Sequence, residues 1–205
     1  MLKSFGKLFA LAFGQAAGTG NVFHLTDKCP ECGTKLMRNA ERSDWHCPNL
    51  DCPAQIRARI EHWCSPGAMD IAGGDAALVA LLVGNGLARD VAELYRIKVA
   101  ELAGLPGMDK DSARKFFDAI TASRKREAWR VLFGLNIPHV SPEVAKTLCR
   151  HFGSVDNVLA ASIEQLQAAE SVSEGFARSI FHWYGDSVNV KLVRRLFKVG
   201  VNFKA

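Results

Sequence analysis

Two cysteine pairs, CPEC and CPNLDC, stand close together early in the chain, and they restrict its folding more than any other feature. Cys29 and Cys32 are separated by two residues and Cys47 and Cys52 by four, with fourteen between the pairs; the other two cysteines are Cys64 and Cys149. A Cys-x-x-Cys turn brings two sulfurs to one side of a tight loop, and Gly33 just after it supplies the backbone freedom that loop needs. Two such knuckles close a tetrahedron. Thiolates are soft ligands that favour Zn²⁺, and four of them leave no position for water or substrate, so the expected ion is structural and not catalytic. A pair of disulfides would require an oxidising compartment and usually a domain short of core, whereas this chain is 48% hydrophobic. An iron–sulfur cluster uses the same four thiolates and remains the alternative ion site. His46 reads as a turn residue beside a ligand, and Cys64 and Cys149, in helical context, as small buried apolar groups.

From Gln55 onward the chain reads as helices of roughly 10 to 15 residues separated by Gly, Pro, Asn and Ser. AALVALLV, SARKFFDAI, EVAKTLCRHF, GFARSIFHWY and VKLVRRLF repeat apolar residues at helical spacing, and β signals are confined to the cysteine module. The turns IAGGDAALV, LPGMDKDSA, NIPHVSPEVA and AESVSEGFA each follow an apolar residue and open a helix. They place Asp75, Asp109, Ser141 and Ser173 at equivalent points, 34, 32 and 32 residues apart. That regularity predicts one helical hairpin repeated four times, each burying its apolar face against the next. An ordinary helical bundle with evenly spaced turns is the alternative. Trp45, Trp63, Trp129 and Trp183 read as core anchors.

Charge decides less. Lys and Arg number 26 against 21 Asp and Glu, a net +5 with a pI near 9.0, which permits an acidic partner such as nucleic acid or an anionic membrane surface without choosing between them. Among the first twenty residues Phe5, Leu8, Phe9, Ala12 and Phe13 fall at helical spacing, which predicts a short amphipathic helix and only faintly resembles a signal peptide. No apolar run approaches the roughly 20 residues that span a bilayer, so no membrane role is expected. The cysteine spacing fits a cytoplasmic protein.

The strings CPECG and HCPNLDCPAQIRARIEHWCSPGAMDI, followed by four hairpins with RHFGSVDNVLAAS between the last two, resemble the C-terminal half of bacterial NAD-dependent DNA ligases. The resemblance runs from about Cys29 to Gly200. It implies a mainly α chain: a four-cysteine zinc finger at 29–54 with Cys29, Cys32, Cys47 and Cys52 as ligands, then a domain of four tandem helix-hairpin-helix repeats at 55–205. Residues 1–28 form an N-terminal extension. The resemblance also implies a setting of DNA replication and repair. Such ligases attach AMP to a lysine in a Lys-x-Asp-Gly motif of an N-terminal adenylation domain, and no Lys-x-Asp-Gly occurs in these 205 residues. No room precedes Cys29 for that domain or for an OB-fold, and the chain ends at Ala205 without a BRCT domain. The expectation is therefore no NAD site, no catalytic residue and no nick sealing by this chain alone.

A helix-hairpin-helix holds DNA by offering main-chain N–H groups to phosphate at the start of its second helix, from a turn reading hydrophobic-x-Gly-hydrophobic-Gly. Here Gly73 and Gly107 keep the first glycine place, His139 and Ser171 replace it in the last two turns, and Asp75, Asp109, Ser141 and Ser173 replace the second throughout. Asp is an excellent helix cap, yet a carboxylate there repels phosphate, so weakened binding to duplex DNA is expected. Side-chain cations remain: Lys110, Arg114 and Lys115 after the second turn, Lys146 and Arg150 after the third, and Lys191, Arg194 and Arg195 near the end. Three readings follow: a DNA-binding module that contacts duplex backbone without sequence preference, one piece of a split ligase that works with a separate adenylation and OB-fold polypeptide, or an interaction protein that has lost DNA binding.

Overall fold

The computed structural model describes residues 27–38 and 45–205, and the amphipathic helix expected in the first twenty residues lies outside the described residues. The only named strands there are β1 (Met37–Arg38) and β2 (Trp45–His46), an antiparallel pair with Met37 opposite His46 and Arg38 opposite Trp45. Everything after is helical: α1 (Pro53–Cys64), α2 (Ala76–Gly84), a 3-10 turn at Glu93–Arg96, α3 (Val99–Leu102), α4 (Lys110–Ser123), α5 (Ala128–Gly134), α6 (Pro142–Phe152), α7 (Val155–Ala160), α8 (Ile163–Gln167), α9 (Glu174–Gly185) and α10 (Ser187–Lys198). The protein is mainly α, as its spacing predicts.

Helix lengths depart from the expected 10 to 15 residues. The helix following each turn is long, at 9, 14, 11 and 12 residues, while α3, α5 and α8 before the later turns have only 4, 7 and 5. A helix that short is unstable by itself and stands only because its partner covers it. α1 with α2, α3 with α4, α5 with α6, and α8 with α9 pack as four such pairs. Leu102, Val131, Leu132 and Leu166 of the short helices are buried, as are Leu82, Phe116, Leu148 and Ile180 of the long ones.

The hairpins share one continuous core that begins at Ile56 and runs to Phe203. Trp63 lies fully buried within it; its indole N–H donates to the Tyr95 hydroxyl at 3.1 Å, and Tyr95 is 3.0 Å from the Ser123 hydroxyl. Burial pushes the Tyr95 phenol up to about 12, so the network is uncharged. Of the other tryptophans, Trp129 and Trp183 are half-buried against this core, whereas Trp45 is 39% exposed on β2. The expectation of a core role fails for Trp45, which packs into neither apolar cluster of the described residues.

Two long-range ties hold the array closed. The Arg195 guanidinium of α10 pairs with Asp90 at 2.5 Å and Glu93 at 3.3 Å, just before α3. The last six residues run between distant hairpins: the Asn202 N–H donates to the Arg124 carbonyl, the Val155 N–H to the Phe203 carbonyl and the Ala205 N–H to the Gly153 carbonyl. Among the described residues no helix is long and apolar enough to cross a membrane.

Candidate metal centre and hairpin turns

The chain from Lys28 to Lys35 doubles back on itself, with the Gly33 N–H donating to the Cys29 carbonyl at 2.8 Å and Gly33 at φ +72°. This knuckle puts Cys29 and Cys32 on one side, and the β1–β2 ribbon returns Cys47 to meet them. Cys52 arrives as the cap of α1, with Pro53 at the first helical position, where its missing N–H costs nothing. The four sulfurs lie within 4.8 Å of one another, Cys29 and Cys52 at 3.7 Å and Cys32 and Cys47 at 3.5 Å. Tetrahedral thiolates about 2.3 Å from Zn²⁺ stand about 3.8 Å apart, so the donor set fits that ion.

None of the six cysteines is in a disulfide. Burial pushes the Cys47 thiol up to about 12 and raises Cys52, while hydrogen bonding with Thr34 brings Cys32 down to about 6. A cation at the centre of the four sulfurs is what would let the raised thiols ionise together. His46 stands on β2, exposed, rather than in a turn, and is not one of the clustered ligands. Among the described residues of the finger, Leu36 is buried with the cysteines and Ala54 packs alongside. Arg57 of α1 reaches back to Glu31 at 2.8 Å, and the Arg59 guanidinium donates to the Leu50 carbonyl. Cys64 and Cys149 are buried in the helical core and pushed up to about 12, which leaves them inert.

The four hairpin turns are built alike. In each, the N–H of the residue before the cap donates to the carbonyl three residues back: Gly74 to Ile71, Met108 to Leu105, Val140 to Ile137 and Val172 to Ala169, at 3.1 to 3.3 Å. The residue between is left-handed every time, Gly73 at +85°, Gly107 at +76°, His139 at +66° and Ser171 at +61°. That is the mark of a type II turn, which asks for glycine at its third position and takes proline readily at its second, as at Pro106 and Pro138. Then comes the cap. Asp75 and Asp109 accept the N–H of Leu78 and Ser112 at 2.9 and 2.7 Å; Ser141 and Ser173 accept those of Val144 and Phe176 at 3.3 and 3.4 Å. Hydrogen bonds from Ser112 hold the Asp109 carboxyl below its ordinary value, and the amide of Glu143 with the Ser141 side chain does the same for Glu143.

The cations of the helices divide into two groups. Lys110, Lys115, Lys146, Arg150, Lys191 and Arg194 are exposed. Arg114, also exposed, pairs with Asp118 at 3.2 Å, and Arg195 is taken up by Asp90 and Glu93. Arg124, Arg126 and Arg130 turn inward to main-chain carbonyls at Tyr95, at Asp70, and at Pro66 and Ala68. Spacing on a helix face does not reveal such partners, since they come from residues 29 to 105 positions away. Sequence reading also missed the stacking of the Lys146 ammonium 4.5 Å from the Trp129 ring centre, with Arg130 at 4.7 Å from the same centre. It missed His139 lying nearly parallel to Phe176 at 6.0 Å as well.

Comparison with known proteins agrees with this architecture. Residues 28–54 match the family described as NAD-dependent DNA ligase C4 zinc finger domain, and residues 130–193 match the helix-hairpin-helix motif family. The chain is thus a ligase-type four-cysteine finger joined to helix-hairpin-helix repeats. It is similar to part of several bacterial proteins named DNA ligase: 38% identical over 182 residues in Koribacter versatilis, 39% over 176 in a Hydrogenobaculum species and 35% over 199 in Flavobacterium johnsoniae. These alignments cover 89%, 86% and 97% of the chain but 27%, 25% and 30% of those proteins, so the chain spans little more than a quarter of the relatives it matches. The matching portion is C-terminal.

Proposed function

We propose that this chain is a DNA-binding module of the ligase type, gripping the sugar–phosphate backbone of duplex DNA without reading sequence, with Zn²⁺ on Cys29, Cys32, Cys47 and Cys52 as a staple for the finger. The observation that carries the reading is the fourfold turn: each hairpin aims the start of a long helix outward from an identical left-handed bend. Around it the exposed Lys110, Lys115, Lys146 and Arg150 supply charge, while Gly73 and Gly107 leave main chain uncovered. Arg114, Lys191, Arg194 and Arg195 complete the set of candidate contacts, Arg195 being the weakest because its guanidinium is spent on Asp90 and Glu93. Four thiolates close the ion's coordination shell, so the metal does no chemistry. Acting by itself in the cytoplasm, the chain holds neither an adenylation lysine motif nor an NAD site, and does not seal nicks.

A second reading is favoured by the caps. Every long helix after a turn carries a carboxylate in the place a phosphate would take or beside it: Asp75, Asp109 with Asp111, Glu143, and Glu174. That weakens the duplex grip and suits a scaffold turned toward protein partners. A separate adenylation and OB-fold polypeptide, completing a split ligase, is the partner the relatives' greater length suggests. Fluorescence anisotropy of a labelled duplex across a salt series, on protein assayed for zinc, separates these readings. Affinity falling linearly in log salt supports the DNA module. Zinc-loaded protein that ignores duplex at low salt overturns it, and restored sealing on mixing with such a polypeptide identifies the split enzyme.

A further inference from the structure

Among the described residues one lysine rests on an aromatic ring. Lys146 of α6 places its ammonium 4.5 Å from the centre of the Trp129 ring on α5, and tryptophan is the side chain whose face attracts a cation most strongly. The ring is anchored on two sides: it is half-buried against the helical core, and the Arg130 guanidinium lies 4.7 Å from the same centre. Arg130 is fixed in turn. It donates to the Pro66 and Ala68 carbonyls at 3.0 and 2.7 Å in the loop after α1, and pairs with Glu127 at 3.3 Å. A line of contacts therefore runs from that loop through Arg130 and Trp129 to the Lys146 ammonium. At its end Lys146 stays exposed and forms no ion pair among the described residues. Arg150, also exposed, follows one turn along the same stripe of α6, and Glu143, one turn back, is engaged by its own amide and the Ser141 side chain.

We infer that Trp129 is a positioning residue for duplex binding, holding the Lys146 ammonium at a fixed point on the helix that the third turn opens, where it meets a backbone phosphate. This rests on the reading of the chain as a DNA-binding module. A lysine is a point charge on a flexible stem, and part of what it gains from a phosphate is lost in ordering that stem. An ammonium seated on an indole has given up that freedom before DNA arrives. The ring also leaves the charge whole. An acid in its place would cancel it, as Asp118 does beside Arg114 and as Asp90 and Glu93 do for Arg195. Trp129 thus orders a cation without neutralising it.

The test measures the affinity of a labelled duplex for the full chain and its variants by anisotropy across a salt series. Lys146→Ala is expected to lose about fivefold in affinity, with a slope against log salt shallower by about 1. Trp129→Leu, which keeps an apolar side chain against the core and removes the seat for the cation, should lose about threefold, and Trp129→Phe should recover most of that. In the Lys146→Ala background, Trp129→Leu should change nothing. Equal losses with and without Lys146 assign Trp129 a packing role and overturn the inference alone; a wild-type chain that ignores duplex overturns it together with the DNA-binding reading. A second readout needs neither DNA nor a tryptophan variant that folds. The Lys146 ε-methylene protons, identified by their disappearance in Lys146→Ala, are expected upfield of those of the exposed Lys191, moved by the indole ring current. An ordinary shift for them overturns the inference too.

Discussion

Hairpins one and two solve the turn problem in one way and hairpins three and four in another. The first pair uses glycine for the left-handed residue and an aspartate for the cap; the second uses His139 and Ser171 for the bend and serines for the cap. The backbone path is the same. Conformational ease and charge at the cap have therefore been exchanged: where the bend is free of strain the cap is anionic, and where the cap is neutral the bend carries a side chain in a region that costs an L-residue about 1–2 kcal/mol. The third and fourth turns also lie within the stretch matching the helix-hairpin-helix motif family. A fold can thus be conserved by geometry while the chemistry at its tips drifts.

Recasting the first pair in the style of the second gives the largest effect. Asp75→Ser with Asp109→Ser should strengthen duplex binding about tenfold at low salt, because serine keeps the cap and removes two anions from helix starts; unchanged affinity in anisotropy would show that those turns do not face phosphate. Asp75→Gly with Asp109→Gly should act in the same direction. Gly107→Ser borrows the residue of the fourth turn. Open space surrounds the Gly107 Cβ position, so the loss of about 1 kcal/mol in urea unfolding would report backbone strain alone. The reverse changes are smaller: Ser171→Gly should gain about 0.5 kcal/mol, the relief being partly offset by the entropy of glycine, and His139→Gly less because it gives up the stack on Phe176. Smallest is the response to acid. Asp109 has its native value below the ordinary 3.8, so its contribution is present above 3.8 and is lost as pH falls below it through the lower native value. An NMR titration of its carboxyl should show that depressed midpoint, and Asp109→Ser should abolish this part of the acid sensitivity.

Much of the fold could be read from the residues because its signals are local. The knuckle spacing of Cys29 and Cys32 and the recurrence of Asp75, Asp109, Ser141 and Ser173 are short-range patterns, and each corresponds to one turn in space. The shortness of α3, α5 and α8 was hidden, since their stability comes from the partner helix. What Arg195, Arg130 and Lys146 do was equally hidden: a cation at a plausible helical position looks the same whether it meets solvent, a distant acid or an indole. Trp45 misled for a related reason. Aromatic residues usually seek a core, but the buried cluster described in the finger consists of the four ligands with Leu36 and Ala54, and the ring stands outside it.

The ties made by Arg195 and by residues 202 to 205 change how the helical array responds to being pulled open. A stack of hairpins with free ends frays from either terminus, each repeat answering only to its neighbour. Here the final helix is braced against the joint between the first and second hairpins, 105 residues back, so loosening at that joint also breaks a contact of the last helix. Amide protons near Leu94 and Tyr95 should therefore exchange with solvent at rates set by the C-terminal residues, and the array should open as one unit rather than peel.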